Sequence, residues 1–329
     1  VSGLHVGYVA LILTTIFGLV RLPYAGRTIA VILGLMFYVL LTGGAASVMR
    51  ASIMASLLLM GGIMERKVDV YNILATAALI ILLIDPDQLM NIGFQLSFSA
   101  VVSIVALFPR LKEAIIAWPF LNHAISRAHL SPIVDLFLVS LAAQLGTLGL
   151  TLFYFHKIPL ISLLANLIVV PLIGVVVATG MALLLLGSFL PFLAIWWAAT
   201  LEGCIDLLLW FVELCASVGW ASVDTRWIHI HELLLIMVAI FGIAAFPLRT
   251  LTKSWIFILL IWGNVQLWNL VLTKNEIEIA ILDVGQGDAI LVHVPDNKIL
   301  LIDAGLRFGG KDMGADVIVP YLRYKGWDH

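Results

Sequence analysis

Residues 160–189 read LISLLANLIVVPLIGVVVATGMALLLLGSF, a run without one charged side chain. A helix that crosses a bilayer needs about 20 apolar residues, so this run predicts a membrane-spanning segment. Pro171 removes a backbone donor inside the run and Gly174 follows closely. The gap must be filled by protein or water, so the run is either one kinked span or a re-entrant pair.

The composition of the whole chain indicates the same class of protein. Of the 329 residues, 62% are hydrophobic and 12% are charged, whereas soluble domains are about 45–50% apolar and about 25% charged. A soluble enzyme, a disordered tail, a collagen and a disulfide scaffold are therefore excluded. Cys204 and Cys215 lie in one apolar run, at a helical spacing too long for a disulfide within it.

The first 274 residues are predicted to form an all-α polytopic membrane bundle of about ten spans. The expected spans are 4–20, 28–42, 47–64, 71–84, 90–108, 132–153, 160–189, 192–218, 229–247 and 254–272. Between the fifth and sixth spans, residues 111–130 mix charged and apolar side chains. This segment fits an interfacial helix broken near Pro119 or an ordered loop.

The distribution of Lys and Arg among the short loops predicts the orientation. With ten spans, nine of these residues fall on one side of the membrane and three on the other. The side with nine should face the cytoplasm, which places the end of the chain on the extracytoplasmic side of the cytoplasmic membrane. A re-entrant pair at 160–189 would move that end to the cytoplasm.

The character of the chain changes after residue 274. Residues 1–274 carry 13 basic and 11 acidic side chains, whereas residues 275–329 carry 5 and 9. Polar and apolar residues alternate from Glu276, which predicts three short strands followed by a helix over residues 314–325. So short a segment buries too little apolar surface to fold alone, and we expect it to open a larger domain.

Three carboxylates of this segment are candidate site residues. Asp283 and Asp288 flank a glycine-containing turn, and Asp303 ends the third predicted strand just before Gly305. A carboxylate at a strand end is a common way to direct an oxygen into a site. The chain begins with Val1 and stops within a folding pattern, so we expect a fragment of a longer protein.

Polar side chains at membrane depth are the other candidates. Arg50 either extends to the interface or lines a passage for an anion. Gln95 and Ser99 share a helical face that could line a polar path, while Gly93 and Ser97 share another that favours close helix packing. The channel candidates are His5, Arg50, Asp85, Gln95, Ser97, Ser99, Gln144 and Asn166.

Several of these residues belong to motifs that occur in a fixed order. The motifs are Ser2-Gly3-Leu4-His5-Val6-Gly7, Leu41-Thr42-Gly43 with Val48-Met49-Arg50-Ala51, Asp85-Pro86, Gly93-Phe94-Gln95-Leu96-Ser97-Phe98, and Ala165-Asn166-Leu167 with Pro171. Together they resemble the membrane domain of the ComEC-type DNA-internalisation competence proteins. The segments 282–289 and 301–305 resemble the start of that family's metallo-β-lactamase-like domain, here a truncated αββα segment.

The resemblance implies an inner-membrane channel for the uptake of single-stranded DNA during natural transformation. Its implied partners are single-stranded DNA, membrane lipid, and the DNA-receptor and motor proteins of the uptake machinery, with a homodimer left open. The sequence contains no Gly-x-x-x-x-Gly-Lys-Ser/Thr loop, so an ATP-driven motor is expected to be a separate protein.

The resemblance also implies that the hydrolase domain degrades the non-transported strand with a His-x-His-x-Asp-His cluster that holds divalent metal. This cluster does not occur in the sequence. We therefore expect no metal and no DNA cleavage from this chain, and zinc or manganese only in the complete hydrolase domain. Asp303 matches the first motif of that domain, a carboxylate beside the metal ligands, which is non-functional alone.

A second interpretation, from another class, stays open. The protein could be a membrane-anchored, metal-dependent hydrolase with a non-DNA substrate, whose bundle is only a scaffold. Substitutions of Arg50 or Gln95 that impair DNA uptake would favour the channel, whereas normal uptake would favour the scaffold.

Overall fold

The computed structural model describes most of the chain. The described residues are 3–64, 69–118, 123, 130–189, 191–225, 230–245, 262–263, 277–285, 287–294, 298–308, 311–325 and 327. Two compact units are present, one made of Val1–Leu148 with Pro159–Val223 and the other of Gly149–Ile158 with Asp224–His329. The predicted domain boundary after Lys274 lies outside the described residues and stays a prediction.

Helices make up most of the described chain up to residue 245. They are α1 (Gly3–Leu19), α2 (Tyr24–Leu41), α3 (Ala46–Ile63), α4 (Val70–Ile84), α5 (Ile92–Ile116), α6 (Ser131–Phe155), α7 (Ser162–Phe189), α8 (Pro191–Ala216) and α9 (Ile230–Ala245). A 3₁₀ turn, Pro86–Met90, precedes α5. The short strands β1 (Lys157–Pro159) and β2 (Ser222–Asp224) follow α6 and α8.

Five of these helices have the length and composition of membrane spans: α2, α3, α5, α6 and residues Ser162–Leu184 of α7. Helices α1, α4 and the Ile230–Gly242 part of α9 are also apolar but shorter. The prediction of an apolar helical bundle is confirmed at this level. The count of ten spans stays a prediction, since the tenth, 254–272, lies outside the described residues except for positions 262 and 263.

Two long helices continue through a proline. Helix α7 continues through Pro171 as one element, so the re-entrant pair is not what the structure shows. Helix α5 continues through Pro109 to Ile116, so the predicted interfacial segment begins within this helix, and the end of the membrane span at 108 stays a prediction. A lost backbone bond at one proline is tolerated within a long helix whose neighbours re-satisfy it. Of the rest of the interfacial segment, residues 119–122 and 124–129 lie outside the described residues.

The first three helices pack around a common cluster of buried side chains. These are Val6 and Val9 of α1, Val31 and Leu35 of α2, and Val48 of α3. Close approach is possible because small residues lie at the contacts. A Cβ at Gly34 would lie 2.6 Å from Leu13 Cδ1, as expected where van der Waals packing rather than hydrophobic burial drives helix association in lipid.

The end of the chain forms the predicted small sheet and helix. Strands β3 (Glu278–Ile281), β4 (Ile290–Val294) and β5 (Lys298–Ile302) pair antiparallel in that order, with Ile281 opposite Ile290 and Leu291 opposite Leu301. The remaining elements are β6 (Arg307–Phe308), β7 (Lys311–Asp312), a π-helical turn (Gly314–Ile318) and α10 (Val319–Lys325).

A small core holds this segment together. Val284, Ala289, Leu291 and Ile318 are buried in one cluster. Of the strand residues, Leu291 belongs to this cluster, and Ala280 and Ile299 pack against it. Ile279 and Ile281, whose alternation with polar residues predicted the first strand, are exposed instead. The alternation thus predicted the strand but not the face that it buries.

Candidate functional site

Arg50 is a buried cation within the helical bundle. It lies in the second turn of α3, and its side chain is 5% exposed. Its Nε donates a hydrogen bond to Ser97 Oγ of α5 at 3.0 Å. The side chain therefore packs against α5, and both predicted alternatives, extension to the interface and a passage for an anion, stay predictions.

The first turn of α5 is shaped around this guanidinium. The side chain of Asn91 caps the helix, because its Oδ1 accepts hydrogen bonds from the amides of Gly93 at 2.8 Å and Phe94 at 3.3 Å. A Cβ at Gly93 would lie 3.1 Å from Arg50 Nη2. The glycine thus lets the guanidinium lie directly against the start of α5. Gly93 and Ser97 both lie against the Arg50 side chain of α3, and the predicted close packing of two helix backbones at this pair stays a prediction.

The charge of Arg50 has no counter-charge in the described part of the chain. No carboxylate of these residues lies within 4.0 Å of its guanidinium, and its buried Nη1 has no hydrogen-bond acceptor there. The first turn of α5, the positive end of that helix, lies against the guanidinium and adds to the positive potential. A buried, unpaired charge is costly, so such a group is a candidate functional site.

The uncharged polar candidates bind backbone carbonyls. Gln95 Nε2 donates to Leu89 O at 3.0 Å, and Ser99 Oγ donates to Gly146 O of α6 at 2.6 Å. Gln144 Nε2 donates to Pro159 O at 2.9 Å. These two bonds join Gln95 to the 3₁₀ turn before α5 and Ser99 to α6. Their predicted role in a polar path stays a prediction, and their visible role is to join neighbouring segments.

The other membrane candidates lie apart from Arg50 along the chain. Asp85 accepts hydrogen bonds from the amide of Asp87 at 3.2 Å and from Gln88 Nε2 at 2.8 Å, so it caps the 3₁₀ turn before α5. His5 is half-buried in α1 and Asn166 is half-buried in α7. Their roles in a channel stay predictions.

The three carboxylates near the end of the chain are exposed. Asp283 Oδ1 accepts from the amide of Gly285 at 3.0 Å, and Asp303 Oδ1 accepts from the amide of Ala304. The amide of Gly305 donates to the carbonyl of Asp288 at 3.1 Å, which brings the two loops together through their backbones. Asp303 has φ +58°, a left-handed conformation that aspartate adopts more readily than most residues.

These carboxylates do not form a metal centre by themselves. No group of three or more His, Cys, Asp or Glu side chains placed to hold an ion occurs among the residues that the structure describes. The divalent metal that the resemblance implies therefore does not fit the described residues alone, and no chemical step is derived through it.

Two contacts important for the bundle were not predicted. Tyr8 of α1 donates its hydroxyl hydrogen to Val170 O of α7 at 2.8 Å, and its ring fills the space beside Gly174. Ser103 of α5 lies against Gly146 of α6. The role of Asn91 was also missed, although an Asn just before an apolar run is a recognised helix-start signal.

Comparison with known proteins places these features in a family. A family model described as "Competence protein" matches residues 1–250. The chain is similar to ComE operon protein 3 of Bacillus subtilis (strain 168), with 28% identity over 99% of this chain and 42% of the relative. It is similar to Uncharacterized protein YcaI of Escherichia coli (strain K12), with 25% identity over 98% of this chain and 42% of the relative.

A third relative is Competence protein ComA of Neisseria gonorrhoeae, with 26% identity over 93% of this chain and 42% of the relative. The chain thus spans less than half the length of these relatives. No solved structure matches it. Because the family model covers more than half of the chain and its helices have membrane-spanning length, this membrane protein belongs to the competence protein family.

Proposed function

We propose that this chain forms the channel part of an inner-membrane protein that takes up single-stranded DNA during natural transformation. The observation that carries the proposal is the family match over residues 1–250, which is the apolar helical part of the chain. The description of that family and the name of the relative from Neisseria gonorrhoeae both refer to competence. Arg50, a buried cation without a carboxylate partner among the described residues, supports a path for an anionic strand.

The proposal includes a topology of ten spans in the cytoplasmic membrane. The excess of Lys and Arg on one set of loops, nine against three, supports an extracytoplasmic end of the chain. The continuity of α7 through Pro171 supports its being one span rather than two. Cysteine labelling from outside intact cells, at an introduced position such as Ser222→Cys, tests this sidedness.

The final segment is proposed to begin a metallo-β-lactamase-like domain that degrades the strand left outside. The three antiparallel strands and the left-handed Asp303 at the end of the third support this part. Zinc or manganese would belong to the complete domain, with Asp303 as a carboxylate beside the ligands. DNA-receptor and motor proteins of the uptake machinery, and a second copy of the chain, are proposed partners.

The test is DNA uptake by cells that carry the full-length gene. Cells with the gene deleted, and cells with it restored, receive duplex DNA labelled on one strand, and the label protected from added nuclease is measured. The expected result is that deletion abolishes protected label while label bound to the cell surface persists. Unchanged protected label in the deletion strain would overturn the proposal.

One observation favours the alternative of a membrane-anchored hydrolase with a non-DNA substrate. Gln95, Ser99 and Gln144 all bind backbone carbonyls, as residues of a scaffold would. Under this alternative, deletion removes a hydrolytic activity of the membrane fraction and leaves protected label unchanged. The same pair of strains therefore separates the two functions.

A further inference from the structure

The guanidinium of Arg50 uses only part of its hydrogen-bonding capacity among the described residues. Arginine carries five N–H donors and no acceptor. Its one hydrogen bond goes to a neutral hydroxyl, Ser97 Oγ, and its buried Nη1 has no acceptor among the described residues. The side chain is 95% buried, since its exposed fraction is 5%.

Its surroundings favour an anion. The start of α5 lies against the guanidinium, since a Cβ at Gly93 would come within 3.1 Å of Nη2. This end of a helix carries the positive part of the backbone dipole. The cap of the helix is neutral Asn91 rather than a carboxylate, and no carboxylate of the described residues lies within 4.0 Å of the guanidinium.

We propose that Arg50, with the start of α5, is a binding site for a phosphate group of the transported DNA backbone; this inference rests on the function proposed above. The planar fork of a guanidinium matches two oxygens of a phosphate. Charge-assisted bonds of this kind are about twice as strong as bonds between neutral partners. A phosphate oxygen can therefore replace Ser97 Oγ as the acceptor.

The described conformation encloses Nη1, so binding requires α3 and α5 to separate around the guanidinium. Ser97 offers the guanidinium a replaceable acceptor, because its hydroxyl also donates to Phe94 O at 3.0 Å within its own helix. Loss of the bond to Arg50 thus leaves the hydroxyl of Ser97 satisfied. The contact between Arg50 and Ser97 can therefore open while the hydroxyl of Ser97 keeps a hydrogen bond.

The experiment measures binding of a fluorescent oligothymidylate to the purified full-length protein, by anisotropy, over a range of salt concentrations. Arg50→Gln removes both the positive charge and the planar guanidinium. Arg50→Lys keeps the positive charge but removes the guanidinium. The matched control is Arg21→Asn, an equal loss of charge at an exposed loop residue with φ +60°, a conformation that asparagine tolerates. Thermal unfolding without DNA checks that each variant folds, and Arg50→Lys keeps the test valid if Arg50→Gln does not.

The expected result is an affinity about tenfold lower for Arg50→Gln. Its slope of log affinity against log salt should fall by about 0.7, the value for one phosphate of a single strand. Arg50→Lys should keep the slope and lose affinity, and Arg21→Asn should change neither. Inorganic phosphate should compete with the oligonucleotide for the wild-type protein and not for Arg50→Gln.

Two results would overturn the inference while leaving the proposed function intact. One is oligothymidylate binding by Arg50→Gln with the wild-type affinity and slope. The other concerns lipid: the wild-type protein is more stable to heat in phosphatidylglycerol than in phosphatidylcholine vesicles, and Arg50→Gln alone loses this difference. If the DNA binding of Arg50→Gln is also unchanged, the site belongs to a lipid headgroup. A wild-type protein that binds no DNA, with unchanged uptake in the deletion strain, would instead reject the proposed function itself.

Discussion

Replacing Gly146 by alanine should destabilise the bundle at the contact between α5 and α6. A Cβ at this position would lie 1.8 Å from Ser103 Oγ, 2.2 Å from Ser103 Cβ and 3.0 Å from Ser99 O. Ser103 is 0% exposed, and its Cβ cannot rotate away because it is fixed to the backbone. Carbon atoms pack at about 3.5–4.0 Å, so the helices must separate by roughly 1 Å or more.

The expected cost has two parts. Overpacking of a well-packed site costs about 1–3 kcal/mol. The separation also lengthens the hydrogen bond from Ser99 Oγ to Gly146 O, now 2.6 Å, and a bond of this kind contributes about 0.5–1.5 kcal/mol. A helical alanine offsets about 0.5–1 kcal/mol of this cost, so the free energy of unfolding of Gly146→Ala should fall by about 1–4 kcal/mol.

The assay is unfolding of the purified full-length protein in detergent, followed by tryptophan fluorescence. Gly203→Ala is the matched control, because a Cβ there meets no atom within 4 Å, and a helical alanine stabilises by about 0.5–1 kcal/mol relative to glycine. The double variant Gly146→Ala, Ser103→Gly lacks both clashing atoms of residue 103. It should recover much of the loss, with a coupling energy of about 1–3 kcal/mol in the double-mutant cycle. The packing argument is refuted if Gly146→Ala unfolds like the wild type or if the two substitutions are additive.

Three further predictions concern other contacts. Gly174→Ala should lower the unfolding midpoint, because its Cβ would lie 2.7 Å from the Tyr8 ring. Tyr8→Phe should lower the free energy of unfolding by about 1 kcal/mol through the lost hydrogen bond to Val170 O. Equal midpoints for the wild type and both variants would contradict both predictions. Burial lowers the pKa of His156, opposed by a backbone hydrogen bond to Leu152, so its contribution to stability is full above about pH 6.5 and is lost as pH falls below it. Unfolding midpoints measured across that range should fall less for His156→Asn, whose side chain tolerates the φ of +55°. Asp303→Val should destabilise the final segment by about 1–2 kcal/mol, because a β-branched residue is strained at φ +58°, and limited proteolysis should detect the loss whereas Asp303→Asn should resist like the wild type.

The helices were predictable because length and lack of charge decide them. Predicted span 28–42 corresponds to α2, Tyr24–Leu41, and predicted span 47–64 corresponds to α3, Ala46–Ile63. The end of α5 was missed because proline usually terminates a helix in sequence-based reasoning. At Pro109 the tertiary environment outweighs that local preference.

The partners within the bundle could not be predicted from spacing alone. The four-residue spacing of Gly93 and Ser97 indicated a close helix contact. It did not indicate that the contact is with Arg50 of α3, which lies 47 residues before Ser97. In the same way, Gln95 and Ser99 share a face by spacing, yet they bind carbonyls of different segments. Helical periodicity gives the face of a residue, whereas the neighbour on that face depends on tertiary packing.

The chemistry of the buried groups distinguishes Arg50 from the other polar candidates. A neutral hydroxyl or amide can be satisfied on a backbone carbonyl that retains a lone pair, and Ser99 and Gln144 do so. A cation cannot be neutralised in that way. If Arg50 served only to hold α3 against α5, an apolar side chain of similar volume would do so as well or better, since replacing buried charges by packed apolar residues is often neutral or stabilising. A buried guanidinium whose Nη1 has no acceptor among the described residues is therefore the reason for proposing a ligand that brings a negative charge, rather than a packing role alone.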